Sequence, residues 1–201
     1  MIDVAHEGDL SIITINNPDK ANALTGDMLA DLIDAAKSAE SKNAMILTGR
    51  GKVFSAGADL DAAKAGLATS PLWEELSGTI AELPCLTIAA LNGTLAGGAC
   101  GMAFACDLCV SVPTAKIFYP VMKLGFLPQP SDPIRLRDLT SPSFAKRILM
   151  SGEKITAEEA RAHGLIDQLV EPDHLLDTAR NLAADALSAD KRHVAAIKAM
   201  I

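Results

Sequence analysis

The sequence has no excess of positive charge and no long apolar run, and both absences restrict its function. Its 201 residues include 18 Lys and Arg against 25 Asp and Glu, a formal net charge of -7. That balance provides no positive field to attract nucleic acid or an anionic membrane. No stretch has the apolar length that spans a bilayer, and residues 1–7 lack the basic and apolar parts of a targeting signal. We therefore expect a cytoplasmic protein that binds neither nucleic acid nor membranes.

Cysteine is also scarce. The four cysteines do not form the dense framework of a small secreted domain, and reduced thiols agree with a cytoplasmic location. Cys106 and Cys109 have the spacing that can begin a zinc site. No second pair accompanies them, and residues three apart on the strand predicted there point to opposite faces of the sheet. We expect no metal site.

Two apolar periodicities alternate along the chain and predict an α/β fold in one main domain. Strands are predicted at positions 10–15, 45–48, 86–91, 106–112 and 165–170, the first paired with positions 2–4 in a hairpin. Helices are predicted at positions 25–39, 73–83, 143–150, 156–162 and 175–187. Thr25 and Thr156 are the expected N-caps, and Gly152 and Gly164 the expected helix stops. Such alternation favours parallel strands with right-handed crossovers and ligands beyond their carboxyl ends.

Two turns rich in small residues carry the strongest functional signal. One spans Ser55–Asp59 and the other Asn92–Gly101, and each follows a predicted strand and precedes a predicted helix. Neither has the glycine spacing of a phosphate-binding loop. Small residues leave the first N–H groups of a helix uncovered, and two such ends facing each other would bind an oxygen with partial negative charge. Close packing is the commoner reason for one such turn, whereas two in this order favour an oxyanion hole.

Four segments resemble the enoyl-CoA hydratase/isomerase (crotonase) family over nearly the whole chain. They are Asn17–Leu24, Gly51–Leu60, Asn92–Asp107 and Ser151–Leu165. The resemblance implies a crotonase-like ββα spiral core with a short helical C-terminal region. We expect the core with its acyl-CoA site at 1–140 and the helical region at 141–201, truncated relative to the family. It also implies a homotrimer or a dimer of trimers.

The resemblance implies the site residues as well. The N–H groups of Ala58 and Gly98 would polarise the thioester carbonyl of an acyl-CoA substrate, and coenzyme A enters only as part of that substrate, with no separate cofactor. The other positions implied to bind substrate lie in the early segment and the two turns: Lys20, Ala21, Ala23, Ala56, Gly57 and Gly97.

Two glutamates of the family hydratases are missing. The corresponding positions hold Gly101 and Val121. Water addition needs a base for the water and an acid for the α-carbon, and neither residue can transfer a proton. Hydration is therefore doubtful, whereas isomerase or decarboxylase-type chemistry remains open. The alternative is a noncatalytic acyl-CoA or acyl-carrier binding protein.

The remaining polar candidates are weaker. Gln129 could orient a water or a carboxylate but cannot act as a general base. Asp132 could reach the pocket, although an exposed N-cap is the favoured interpretation. Several others are expected to be structural: Asp59 as a helix cap, Asp107 as a strand anchor, Tyr119 as core, and Glu74 and Glu75 on a solvated helix face.

Overall fold

The computed structural model describes all 201 residues, which include ten strands and ten α-helices. The strands are β1 (Ile2–Glu7), β2 (Leu10–Ile15), β3 (Ala44–Gly49), β4 (Val53–Ser55), β5 (Leu86–Leu91), β6 (Thr94–Ala96), β7 (Leu108–Ser111), β8 (Lys116–Phe118), β9 (Ile155–Thr156) and β10 (Gln168–Leu169). The helices are α1 (Gly26–Ser38), α2 (Leu60–Lys64), α3 (Leu72–Glu82), α4 (Ala99–Phe104), α5 (Val121–Leu124), α6 (Asp132–Leu139), α7 (Pro142–Leu149), α8 (Ala157–Ala162), α9 (Leu175–Ser188) and α10 (Lys191–Lys198). No helix combines the length and the apolar character that crossing a membrane requires.

The larger sheet confirms the predicted α/β class. Its strand order is β1-β2-β3-β5-β7-β10, with β1 and β2 forming the expected antiparallel hairpin and all other neighbours parallel. Residues 44–48 of β3 are all buried, and helix α9 packs against β3, β5 and β7. Strands covered on both faces have nearly continuous apolar sequences, which is why β3 and β5 show no alternation.

The helix ends follow the expected local chemistry. The Thr25 side chain accepts a hydrogen bond from the N–H of Met28, and the Thr156 side chain accepts one from the N–H of Glu159. Gly164 has a φ of +85°, in the left-handed region that ends helices without strain only at glycine. The predicted N-caps and this helix stop are confirmed.

A second, smaller sheet was absent from the prediction. Its order is β4-β6-β8-β9, with β4, β6 and β8 parallel and β9 antiparallel to β8. The strands have only two or three residues, which is too short for an apolar alternation to be visible in the sequence. Because β4, β6 and β8 are parallel neighbours, their carboxyl ends lie along one edge of this sheet.

Both regions of the chain contribute to one hydrophobic core of 53 buried residues. It includes Leu47 and Leu91 from the first part of the chain, and Ile148 and Ala179 from the second. The strand β9 joins the small sheet and β10 joins the large one. The C-terminal region is therefore packed into the fold through strands as well as helices.

Asp107 is confirmed as a structural anchor between strands and the last helix. Its Oδ2 accepts hydrogen bonds from the N–H of Thr87 at 2.8 Å and from the Thr87 hydroxyl at 2.9 Å. Lys198 of α10 donates to the same oxygen at 2.7 Å. One carboxylate thus joins the start of β5 to the residues before β7 and to α10.

We predict that Asp107→Ala lowers the free energy of unfolding by about 2 to 3 kcal/mol, because three donors lose a charged acceptor. Asp31→Ala is the control, since Asp31 is exposed on α1 and should change stability by less than about 0.5 kcal/mol. Urea unfolding followed by circular dichroism measures both variants. Equal stability of the two would show that Asp107 has no anchoring role.

Candidate functional site

The candidate site lies where three loops leave one edge of the small sheet. β4, β6 and β8 end at Ser55, Ala96 and Phe118, and as parallel neighbours they end on the same side. The loop after β4 and the loop after β6 touch each other. A Cβ built on Gly57, whose φ is +87°, would lie 2.9 Å from the Ala96 carbonyl oxygen and 3.5 Å from the Gly98 nitrogen. Only glycine permits this approach.

The loop after β4 is held in place by the early segment of the chain. The N–H of Ala56 donates to the Ala21 carbonyl at 3.0 Å, and the N–H of Leu24 donates to the Gly57 carbonyl at 2.8 Å. The N–H of Asp59 returns a bond to the Leu24 carbonyl at 2.8 Å. The two segments therefore form a short parallel pairing that fixes the orientation of the backbone between them.

Side chains of the early segment strengthen this pairing. The buried Asn22 side chain donates to the Arg50 carbonyl at 2.9 Å and to the Val53 carbonyl at 2.7 Å. Lys20 is largely exposed and forms an ion pair with Asp59 at 3.3 Å. Asp59 caps α2 as expected, and hydrogen bonds from the Ala62 N–H and Lys20 lower the pKa of its carboxyl.

Two backbone N–H groups in the touching loops have no acceptor within the protein. They belong to Ala58 and Gly98, whereas the N–H groups of Asp59 and Gly97 are bonded to the carbonyls of Leu24 and Phe118. Both residues are half-buried and both line a pocket of about 380 Å³. Two backbone donors that the protein leaves without an acceptor on one pocket wall are suited to a ligand oxygen.

The rest of the pocket wall is mainly apolar. It is formed by Ala56, Ala58, Leu60, Ala63, Lys64, Ala68, Trp73, Ala96, Gly97, Gly98, Phe118, Tyr119, Pro120, Val121, Leu124, Phe126 and Leu127. The indole of Trp73 donates to the Leu67 carbonyl at 2.8 Å and packs directly over Gly98. Ala56 and Gly97 of the predicted positions lie on this wall, while Lys20, Ala21 and Ala23 lie behind the first loop and do not line the pocket.

The two positions that lack glutamate have different surroundings. Val121 lines the pocket and presents only methyl groups. Gly101 lies in α4, and a Cβ built on it would lie 2.5 Å from Oδ1 of Asp132. The carboxyl group of Asp132 therefore occupies the space that a larger residue at position 101 would need.

The interpretation of Asp132 as an exposed N-cap is wrong. Asp132 is fully buried, and Ser131 is the N-cap of α6. Oδ2 of Asp132 accepts a hydrogen bond from the Tyr119 hydroxyl at 2.9 Å, while Oδ1 has no hydrogen-bond partner. Burial raises the pKa of the Asp132 carboxyl to about 7, although the Tyr119 hydrogen bond and Arg135 oppose the rise.

The structure also bears on the expectations for Gln129, Glu74 and Tyr119. Gln129 is buried, but its side chain does not line the pocket, and its carbonyl accepts the N–H of Asp132 at 3.1 Å. Glu74 is not on a solvated face, because it accepts hydrogen bonds from the N–H and the hydroxyl of Ser131. Tyr119 is buried as expected, yet it also lines the pocket, a role missed because the strand β8 before it was not recognised.

The chain is similar to known proteins in both sequence and fold. The model of the enoyl-CoA hydratase/isomerase family matches residues 6–201. The chain is 33% identical over 195 residues to the short-chain-enoyl-CoA hydratase of Clostridium acetobutylicum, covering 90% of this chain and 73% of that protein. It is 33% identical over 191 residues to the crotonyl-CoA hydratase of Syntrophomonas wolfei, covering 90% and 74%. The crystal structure of an enoyl-CoA hydratase from Bacillus anthracis superposes with a TM-score of 0.91 at 27% identity, covering 98% of this chain and 80% of that one.

We predict that the effect of Gly101→Ala on stability changes sign with the residue at position 132. With Asp132 present, the new methyl group displaces a buried carboxyl and lowers the free energy of unfolding by about 1 to 2 kcal/mol. In an Asp132→Gly background the space is open, and alanine stabilises helix α4 by about 0.5 to 1 kcal/mol. Thermal unfolding of the four proteins measures both effects, and the same sign in both backgrounds would contradict the contact.

We predict that Asp132→Asn raises the free energy of unfolding more at pH 8 than at pH 4.5. The folded-state pKa of about 7 lies above the ordinary value of 3.8, so the folded wild-type protein loses stability as pH rises between these values and reaches a plateau above pH 7. Asparagine removes this pH-dependent loss, which is up to about 4 kcal/mol. Urea unfolding of both proteins at the two pH values gives the difference, and a pH-independent difference would show that Asp132 titrates normally.

Proposed function

The chain belongs to the enoyl-CoA hydratase/isomerase family, and we propose that it binds an acyl-CoA thioester with the carbonyl oxygen between the N–H groups of Ala58 and Gly98. The observation that carries this proposal is the pair of N–H groups without acceptors on one pocket wall. They lie in loops that touch at Gly57, so both donors lie close together in the fold. The apolar remainder of the wall suits a hydrocarbon chain.

The chemistry explains why such donors matter. Reactions at the α-carbon of a thioester pass through an enolate, in which negative charge develops on the former carbonyl oxygen. Donors that are already oriented stabilise this charge without reorganisation, and loss of one donor costs about 3 kcal/mol in transition-state stabilisation. Because the donors are backbone groups, the loop geometry matters more than the side chains at positions 58 and 98.

The reaction we propose is isomerisation of the acyl double bond from the β,γ to the α,β position. Hydration requires two groups that transfer protons, and positions 101 and 121 supply neither. Isomerisation needs one proton shuttle, which removes a proton from the α-carbon and returns it to the γ-carbon. Decarboxylation of a malonyl-type thioester is less well supported, because 13 of the 17 residues that line the pocket are apolar.

A noncatalytic acyl-CoA or acyl-carrier binder is the alternative. It would keep the two N–H donors but would have no use for a buried carboxyl with a raised pKa beside the pocket. Such a group destabilises the folded protein at neutral pH and is typical of sites that transfer protons. Asp132 therefore favours an enzyme over a binder.

Binding of the coenzyme A portion follows from the same arrangement. We propose that it passes Ala56 at the rim of the pocket and that Lys20, whose side chain is 66% exposed, turns from Asp59 to a phosphate group. Ala21 and Ala23 would contribute through the backbone that holds the first loop. We also propose the homotrimeric assembly of the family, which sedimentation analysis of the purified protein tests.

We predict that Gly98→Ala lowers kcat/KM for isomerisation of a 3-enoyl-CoA by at least about 100-fold. The added Cβ would lie 2.9 to 3.1 Å from three ring atoms of Trp73, so either the ring or the N–H donor must move. Gly78→Ala is the matched control, because a Cβ at Gly78 meets no atom within 4 Å. Absorbance of the conjugated thioester product follows the reaction.

Three further results decide between the candidate functions. Wild-type activity of Gly98→Ala would remove the Gly98 donor from the mechanism. Turnover of crotonyl-CoA to the hydrated product as fast as isomerisation would contradict the assignment of a single proton shuttle. Calorimetry with a saturated acyl-CoA that shows binding, together with no turnover of any acyl-CoA, would support the noncatalytic binder instead.

A further inference from the structure

A buried carboxyl group from helix α6 lies next to α4, close to the site. Position 101 in α4 lacks a side chain, and Oδ1 of Asp132 from α6 lies 2.5 Å from where its Cβ would be. The carboxyl is fully buried and Oδ1 has no hydrogen-bond partner. A buried carboxyl with an unsatisfied oxygen destabilises a fold, so a structural role alone does not explain it.

Tyr119 connects this carboxyl to the pocket. The residue follows directly after β8 and lines the pocket, whereas Asp132 does not reach the pocket wall. The Tyr119 hydroxyl donates to Oδ2 of Asp132 at 2.9 Å. Tyr119 is therefore the residue that links the pocket wall to the carboxyl.

We propose that Tyr119 and Asp132 form a proton relay for the thioester site, an inference that rests on the proposed function. The α C–H bond of a 3-enoyl thioester breaks, and its proton passes to the Tyr119 oxygen as the phenolic proton passes to Asp132. The electron pair of the broken bond delocalises into the dienolate, whose oxygen is held by the N–H groups of Ala58 and Gly98. Reversal of the relay delivers a proton to the γ-carbon, so the product is an isomer and both residues return to their initial state.

The environment of the pair suits this exchange. The Asp132 carboxyl, with its pKa raised by burial to about 7, can both accept and release a proton near neutral pH. Burial and the nearby Asp132 charge raise the pKa of Tyr119, so the phenol passes on its proton only while it receives another. The other titratable groups that act on the pair are Arg135 of the same helix, Glu74 of α3 and the Cys100 thiol of α4.

Helix α3 fixes the position of the relay. Glu74 accepts hydrogen bonds from the N–H and hydroxyl of Ser131, immediately before Asp132. Arg135, one turn later, donates to the Ser77 hydroxyl at 2.9 Å. The start of α6 is thus attached to α3 on both sides of Asp132, which limits the movement of the carboxyl relative to Tyr119.

Two conservative substitutions test the relay. Tyr119→Phe removes only the bridging oxygen, and Asp132→Asn removes only the proton acceptor. Each should lower kcat for 3-enoyl-CoA isomerisation by at least about 100-fold, and the double variant should be no slower than the slower single variant, because the two residues act as one unit. Asp138→Asn on the exposed face of α6 is the matched control and should retain wild-type kcat.

The pH profile distinguishes proton transfer from a structural role. Because the relay needs ionised Asp132, the wild-type kcat/KM should rise with pH to a plateau with a midpoint near 7. The residual activity of Asp132→Asn should lack this rise. In both variants, the rate at which the α-protons of a saturated acyl-CoA exchange for deuterium, measured by NMR, should fall in parallel with kcat. The affinity of the variants for that ligand, measured by calorimetry, should change by less than about threefold.

The possible results separate the relay from the proposed function. Variants that bind acyl-CoA and isomerise it at wild-type rates overturn the relay and leave the thioester site intact. Effects of the single variants that multiply in the double variant also overturn it, since independent residues behave in that way. Wild-type protein that binds no acyl-CoA overturns the thioester site and the relay together.

Discussion

The candidate site depends on three short parallel strands that end together. β4, β6 and β8 are hydrogen-bonded neighbours, so the loops that follow them must begin side by side. The contact of Gly57 with Ala96 and Gly98 then brings the backbone of two loops within van der Waals distance. Without that contact the N–H groups of Ala58 and Gly98 would face solvent separately. The small sheet therefore determines the position of the two loops, and side chains such as Asn22 support it.

The sequence predicted the parts of the fold that repeat a pattern. The hairpin of β1 and β2, the parallel strands β3 and β5 and the caps at Thr25 and Thr156 all have local signals of periodicity or hydrogen bonding. The small sheet has none, because its strands are too short for alternation. Tyr119 was consequently assigned to the core alone, although its place at the end of β8 puts it on the pocket wall.

Asp132 shows a different limit of prediction. An aspartate before an apolar turn is the usual sequence of an exposed N-cap, and here that local rule failed because the residue is buried against another helix. The relevant signal was the glycine at position 101, which frees the space that the carboxyl fills. Contacts between residues 31 positions apart leave no local periodicity, so only coordinates reveal that the two positions are complementary. Because burial raises the pKa of this carboxyl, its ionisation reduces the stability of the fold near neutral pH.

The single tryptophan of the chain has a practical consequence. Trp73 is buried, its indole nitrogen is bonded to Leu67, and its ring covers Gly98 on the pocket wall. When tryptophan is excited selectively, the fluorescence of the protein therefore comes from one residue beside the proposed acyl position. Emission intensity and wavelength can follow ligand entry in a stopped-flow instrument without any label. Trp73 would therefore report occupancy of the pocket by a ligand.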